Sequence, residues 1–198
     1  PTNDVCGFDA ARKLAILSSI GFRANVTFDD VLVEGIEKID KSDIQYAKDM
    51  GYTIKLLTVA LRQENGIALN VYPAFLPDNH PSSVKGSYNA IYVTGNIVDD
   101  VMFYGRGAGA LPTASAVMGD VISTAQHILN GSTGTGMIMT DTKRIPFYSS
   151  LKLQNSYYFR LDVDDVTGVL SQIASAFAEH EISICEVVQK RKAKGVAE

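Results

Sequence analysis

The feature that most restricts what this chain can fold into is a change of hydrophobic period just after Gly51. Before it, apolar residues recur at helical spacing. After it, two β-rich runs, Thr53–Arg62 (TIKLLTVALR) and Ile67–Tyr72 (IALNVY), stand on either side of Asn65-Gly66. That dipeptide favours φ > 0 and so a tight hairpin between antiparallel strands. Ser87–Gly95 (SYNAIYVTG) and Val101–Tyr104 (VMFY) read as two further strands, reached through a proline- and polar-rich connection over Pro73–Ser83. On the helical side, Ala10, Leu14 and Leu17 recur at i, i+4 and i+7, which predicts a helix over Asp9–Gly21 with Gly21 as its stop. A second helix is expected over Asp43–Met50, with Ser42 as N-cap, Gln45 completing a capping box and Gly51 ending it. Helices packed on a mostly antiparallel sheet make an α+β layer arrangement.

A longer helix is predicted over Thr113–Leu129, with Pro112 near its start, followed by the flexible Gly/Ser/Thr-rich run Asn130–Gly136. The last part reads as one βαβ unit: strand Ser156–Val163, helix Gly168–His180, strand Ile182–Val188. The expected organisation is therefore a first domain over 1–130, a linker over 131–152 and a partial domain over 153–198. One βαβ unit has too few elements to bury a core, so it needs the rest of its domain or a partner chain. The chain also opens at Pro1 inside its most chemically dense stretch, and is expected to be a piece of a longer polypeptide.

Composition removes several functions. The 18 basic and 22 acidic side chains leave a net charge of −4, which argues against a phosphate-neutralising nucleic-acid partner. No apolar run approaches the roughly 18–20 residues of a membrane span. Cys6 and Cys185, far apart, make neither a disulfide framework nor a zinc site, so no metal is expected. No signal-peptide pattern is present, and a cytoplasmic setting is the expectation.

Two constellations carry chemistry. On a helix starting near Gly7, Asp9 and Lys13 fall one turn apart, on a face that continues through Ile16, Leu17 and Ile20. An acid–base pair heading an apolar stripe is expected to be partly buried, where ion pairing strengthens. The plainer alternative is a surface i,i+4 salt bridge contributing about 0.3–0.5 kcal/mol. Asp4 reads as a turn or N-cap residue or as a further site carboxylate, and Gly7 between two acids lets backbone approach a small ligand. The second constellation is Gly105-Arg-Gly107-Ala108-Gly109, between a strand and a helix. It lacks the G-x-G-x-x-G spacing and the acidic residue about 20 positions on. Alone it reads as a strand–helix elbow needing small residues, or as a ligand site.

The run Pro1-Thr-Asn-Asp4-Val5-Cys-Gly7-Phe-Asp9-Ala-Ala-Arg-Lys13 resembles the second half of the homoserine dehydrogenase signature, P-x-x-D-[aliphatic]-x-G-x-D-x-x-x-K, with every fixed position present. Tyr104 to Asp120 is similar to that family's G-x-G-A-G-x-x-P-T-A-x-A-V-x-x-D segment, with Arg106 where a proline is common. Pro77-Asp-Asn-His80-Pro81 and Gly86-Ser-Tyr-Asn89-Ala-Ile91 match the stretches before it. The resemblance implies an enzyme that interconverts L-homoserine and aspartate 4-semialdehyde with NAD or NADP, in threonine, methionine and isoleucine biosynthesis. It implies Lys13 and Asp9 as the catalytic pair, Asp4, Gly7 and His80 at the substrate, and Gly107, Ala108 and Gly109 near the nicotinamide. His80 also reads simply as a loop residue in a His-Pro turn. The family's nucleotide-binding domain would precede Pro1, so the piece alone is expected to be inactive.

The turn Asp164-Asp165-Val166-Thr167-Gly168 and its flanks resemble an ACT domain, a small ferredoxin-like module, and a plain βαβ packing unit is the alternative. The resemblance implies an amino-acid effector such as threonine at Asp164, Asp165 and Gly168, where a helix N-terminus offers N–H groups to a carboxylate. Such modules pair, which implies a homodimer or higher assembly. The rival for the whole chain is a non-catalytic amino-acid-binding regulatory or assembly module.

Overall fold

A computed structural model describes residues 2–132, 145–148, 155–189, 191–193 and 196–197. The chain divides into two compact units, Pro1–Leu153 and Gln154–Glu198. The expected linker over 131–152 lies mostly outside the described residues.

The first unit opens with a one-turn helix α1 (Thr2–Val5) and then α2 (Phe8–Phe22), separated by Gly7 at φ 78. A 3-10 turn (Phe28–Asp30) leads into β1 (Leu32–Val33), and α3 (Lys41–Asp49) precedes the long hairpin of β2 (Tyr52–Gln63) and β3 (Gly66–Pro77). The sheet order is β1-β3-β2, with β1 parallel to β3 and β2 antiparallel to it. A second, two-stranded antiparallel sheet is formed by β4 (Tyr88–Gly95) and β5 (Asp99–Arg106), and α4 (Ala110–Leu129) follows it. Mixed helices and small, mostly antiparallel sheets are what the patterning implies.

Details differ for physical reasons. Gln63 pairs with Gly66, so the hairpin turn is Glu64-Asn65, one residue earlier than expected. Gly66 takes φ 152 and lies so close to the Pro146 carbonyl that a Cβ would collide with it. β3 runs straight through Pro73, inside the expected loop connection. The strand tolerates this proline because β1 pairs only with Asn70 and Val71, and Pro73 lies beyond it. The cap of α3 is Asp40, not Ser42. Its carboxylate accepts from the Ser42 and Asp43 N–H groups at 2.7 and 3.2 Å, and Asp43 Oδ2 accepts from Asp40 N–H at 2.9 Å. That reciprocal box uses the same three-residue spacing as Ser42 and Gln45, with carboxylates at both ends. Helix α2 passes Gly21 and stops at Arg23, which adopts φ 51, whereas Gly51 at φ 79 ends α3 as expected.

The core lies between α2 and one face of the β1-β3-β2 sheet. Ala11, Leu14 and Ala15 of α2 meet Ile67, Leu69 and Val71 of β3, with Ala24, Val26 and Val31 closing the cluster. Ile67 and Val71 are fully buried, each contributing about 1.5–3 kcal/mol. Helix α4 is exposed along almost all of its length, and its apolar stripe of Val117, Val121 and Ile128 has no cover among the described residues.

The second unit holds β6 (Val163–Asp164), α5 (Val169–Glu179), β7 (Arg191–Ala193) and β8 (Val196–Ala197), with sheet order β6-β8-β7. Phe177 of α5 packs edge-on against Phe159 at 5.5 Å. Of the strands expected over Ser156–Val163 and Ile182–Val188, only Val163–Asp164 forms one. A strand exists only where a neighbour takes its backbone groups, and no described neighbour does so there.

Candidate active site

The densest chemistry sits where α1 meets α2. Gly7 makes the joint possible, because its left-handed backbone turns the chain between Asp4 and Asp9. A Cβ at Gly7 would stand 3.0 Å from Val71 Cγ1 and 3.2 Å from Val33 Cγ1. The joint is thus seated directly on the sheet. One turn into α2, Lys13 Nζ lies 2.7 Å from Asp9 Oδ2. The start of the helix is held from the side by Phe8, edge-on to Phe28 at 5.9 Å, and by the Arg12 guanidinium over the Phe28 ring.

The sequence implied a partly buried pair, and the structure corrects this. Lys13 and Asp9 side chains are 70% and 46% exposed. Helix α2 carries two apolar stripes, and the one that packs is Ala11, Leu14, Ala15 with Ser18. Its small residues let the helix lie close on the sheet. Ile16, Leu17 and Ile20, on the Asp9–Lys13 side, remain exposed.

Glu37, which the sequence reading did not single out, touches the joint. Cys6 Sγ donates to Glu37 Oε1 at 2.8 Å, and this bond, with desolvation and the carboxylate's charge, pushes the Cys6 thiol up from its ordinary value. The two residues are 31 positions apart, and only the fold brings them together.

His80 lies on the loop after β3. Its Nδ1 accepts the Ser82 N–H at 3.1 Å and its ring sits 5.9 Å from that of Tyr92. An accepting Nδ1 leaves the proton on Nε2. Tyr92 and Thr94 both bond to Asp100; the two bonds hold the Asp100 carboxyl down from its ordinary value, while the bond to Asp100, with desolvation and the carboxylate's charge, holds the Tyr92 hydroxyl up.

The glycine run leaves β5 and enters α4. Gly107 N–H donates to the Ser87 carbonyl at 3.0 Å, and a Cβ at Gly107 would run into the Asn89 amide. Gly109 at φ 126 precedes α4, and its carbonyl takes the Thr113 N–H at 3.0 Å. Arg106 donates to Ser87 Oγ at 2.7 Å and lies over the Tyr88 ring at 4.6 Å. Ser87, Arg106, Ala108, Gly109 and Pro112 help line an open depression of about 740 Å³. In the second unit, Asp164 lines a depression of about 420 Å³ with Asp162, Val163 and Val169, while Asp165 lies in the following turn and Gly168, at φ 95, precedes α5.

The sequence profile of homoserine dehydrogenase matches residues 1–122. The chain belongs to the homoserine dehydrogenase family. It is 40% identical to the homoserine dehydrogenase of Bacillus subtilis and 41% identical to that of Corynebacterium glutamicum, covering 96% and 97% of this chain and 44% of each relative. It therefore spans less than half the length of these curated relatives. Among solved structures, it superposes on a homoserine dehydrogenase from Thiobacillus denitrificans with a TM-score of 0.88 at 36% identity, over all of this chain and 46% of that one. The S. aureus homoserine dehydrogenase gives 0.69 at 28% identity, over all of this chain and 47% of that one. No helix among the described residues is long and apolar enough to cross a membrane.

Proposed function

We propose that this chain is the substrate-binding catalytic part of a homoserine dehydrogenase, interconverting L-homoserine and aspartate 4-semialdehyde within a longer enzyme. The observation that carries the reading is the Asp9–Lys13 pair at 2.7 Å, in the first turns of α2 after the seated Gly7 joint, with Asp4 on the helical turn before it. In the reducing direction, the Lys13 ammonium donates a proton to the aldehyde oxygen as it becomes an alkoxide. Asp9 keeps that ammonium oriented, and proton donation of this kind supplies about 10²–10⁴-fold. Asp4 is the carboxylate for the substrate's ammonium group, and Gly7 and His80 are the further residues assigned to the substrate by the family resemblance.

NAD or NADP would supply the hydride chemistry when bound. The glycine run fits such a group: small residues keep the elbow open, and the first N–H groups of α4 have no partner within the helix. Gly107, Ala108 and Gly109 would lie along it. The domain reading is a catalytic domain over 1–130, a linker over 131–152 and a partial ACT-like regulatory domain over 153–198. Asp164, Asp165 and Gly168 would meet an amino-acid effector such as threonine. A cytoplasmic homodimer or larger assembly is the expected setting.

The test is Lys13→Ala in the full-length enzyme, followed by homoserine-dependent reduction of NAD(P). Turnover within a few-fold of the parent would refute the assignment. Threonine titrated calorimetrically into the parent and an Asp164→Ala variant tests the effector site, and equal heats from both would remove it.

A further inference from the structure

We propose that Glu37 is a positioning residue for the Asp4 and Asp9–Lys13 cluster, acting through Cys6 as the end of a strap that fixes the joint between α1 and α2. The proposal rests on the reading of that cluster as the homoserine site.

The strap is the segment leaving β1. At its root, Glu34 N–H donates to the Val71 carbonyl at 2.8 Å, so it is tied to the same β3 residue on which Gly7 is seated. Two residues on, Ile36 N–H donates to the Val5 carbonyl at 2.9 Å, gripping the last residue of α1. Between them, Gly35 presses on the joint. A Cβ there would stand 2.5 Å from the Val5 carbonyl oxygen and 2.8 Å from Cys6 Cα, both backbone atoms that cannot rotate away. At the end of the strap, the Cys6 thiol donates to Glu37 Oε1 at 2.8 Å.

Helix α1 is a single turn, too short to hold its own direction, and Asp4 rides on it. Its internal ties are Cys6 N–H to the Thr2 carbonyl at 2.9 Å and Gly7 N–H to the Asp4 carbonyl at 3.2 Å. These make α1 and the joint one piece, and the strap fixes that piece against the sheet. The distance from Asp4 to the Asp9–Lys13 pair is then set from outside the signature. The raised thiol agrees with this, because it keeps the proton that the contact needs.

The experiment uses the full-length enzyme with two independent readouts. The first is alkylation of Cys6 by iodoacetamide, followed by peptide mass spectrometry, with the exposed Cys185 as internal reference. Cys6 should label more slowly than Cys185 in the parent. Glu37→Ala should accelerate Cys6 several-fold, because the thiolate no longer forms against a carboxylate, and leave Cys185 unchanged. The second readout is steady-state kinetics. Glu37→Ala and Cys6→Ala should each raise KM for homoserine several-fold with a smaller change in kcat, and Cys6→Ser, which keeps a donor toward Glu37, should recover most of that loss. An unchanged Cys6 rate in Glu37→Ala overturns the proposal. So does a faster Cys6 with KM and kcat unmoved, which would make the contact merely structural, and so does an equal KM rise in the Ser and Ala variants. If the parent shows no homoserine-dependent turnover, the functional reading fails and the positioning role with it, while the labelling rates still report whether the contact forms.

Discussion

Substituting Gly7 by alanine tests the joint on which the site is built. The residue sits at φ 78, where a Cβ-bearing residue is strained by about 1–2 kcal/mol. The added methyl would also stand 3.0 Å from Val71 Cγ1 and 3.2 Å from Val33 Cγ1, in the best-packed part of the sheet. Overpacking of this kind costs about 1–3 kcal/mol. Restricting the unfolded chain returns about 0.4–1 kcal/mol, so the net loss is about 3 kcal/mol. At about 2–4 °C per kcal/mol for a unit of this size, the melting transition should fall by about 6–12 °C. Gly51→Ala is the matched control: φ is 79 and nothing lies within 4 Å of its would-be Cβ. It carries the backbone strain without the contact. Thermal melts followed by circular dichroism should therefore place Gly7→Ala below Gly51→Ala by the overpacking contribution alone. Equal melting temperatures for the two would show that Gly7 is not seated on Val71 and Val33, and would undo the argument for how Asp4 and Asp9 are set.

Other perturbations separate chemistry from stability. Lys13→Ala should cut turnover of the full-length enzyme at least about 10²-fold, yet shift the melting temperature by no more than about 2 °C, since an exposed i,i+4 pair contributes about 0.5 kcal/mol. Asp40→Ala removes the cap of α3 and should cost about 1 kcal/mol in a urea titration, whereas Ser42→Ala should cost little because Ser42 lends its N–H and not its side chain. Asp100→Asn tests the sign of a pH effect. Because the Tyr92 and Thr94 hydroxyls hold the folded carboxyl below its ordinary value of 3.8, the stability it contributes is complete above that value and disappears as pH falls through the lower folded one. Melts at pH 7 should distinguish parent from variant, and melts well below pH 3.8 should converge.

Which parts of the fold were legible follows from how local their causes are. Gly51 was readable as a helix stop because a left-handed position after a helix needs almost nothing but glycine. The cap of α3 was misplaced because Asp40-Lys-Ser42-Asp43-Ile-Gln45 contains two overlapping boxes of the same spacing, and only the backbone decides between them. Pro73 read as a loop residue because a proline breaks a ladder in general. That it sits past the end of a two-residue β1 is a fact of topology, which no local pattern encodes. The C-terminal strands failed for a related reason: Tyr157 to Leu161 and Ile182 to Val188 have the composition of strands, but no described strand lies beside them.

The same distinction divides the site. Asp9 and Lys13 were found because helical geometry turns a spacing of four into a contact, and the observed 2.7 Å needs nothing else from the fold. Their burial could not be read, because α2 offers two stripes and the choice belongs to the sheet. Small residues at 11, 15 and 18 allow closer approach than Ile16, Leu17 and Ile20 would, so the sheet takes the small side and the ion pair faces outward. That outcome has an electrostatic consequence. Two unit charges about 4 Å apart interact by about 1 kcal/mol in water but about 4 kcal/mol at a protein surface of lower dielectric. The signature thus sets the geometry of the pair, while its electrostatic strength depends on what lies over the open face of Ile16, Leu17 and Ile20. The pair is aligned by its own helix, and its Coulomb attraction rises only when that face is covered.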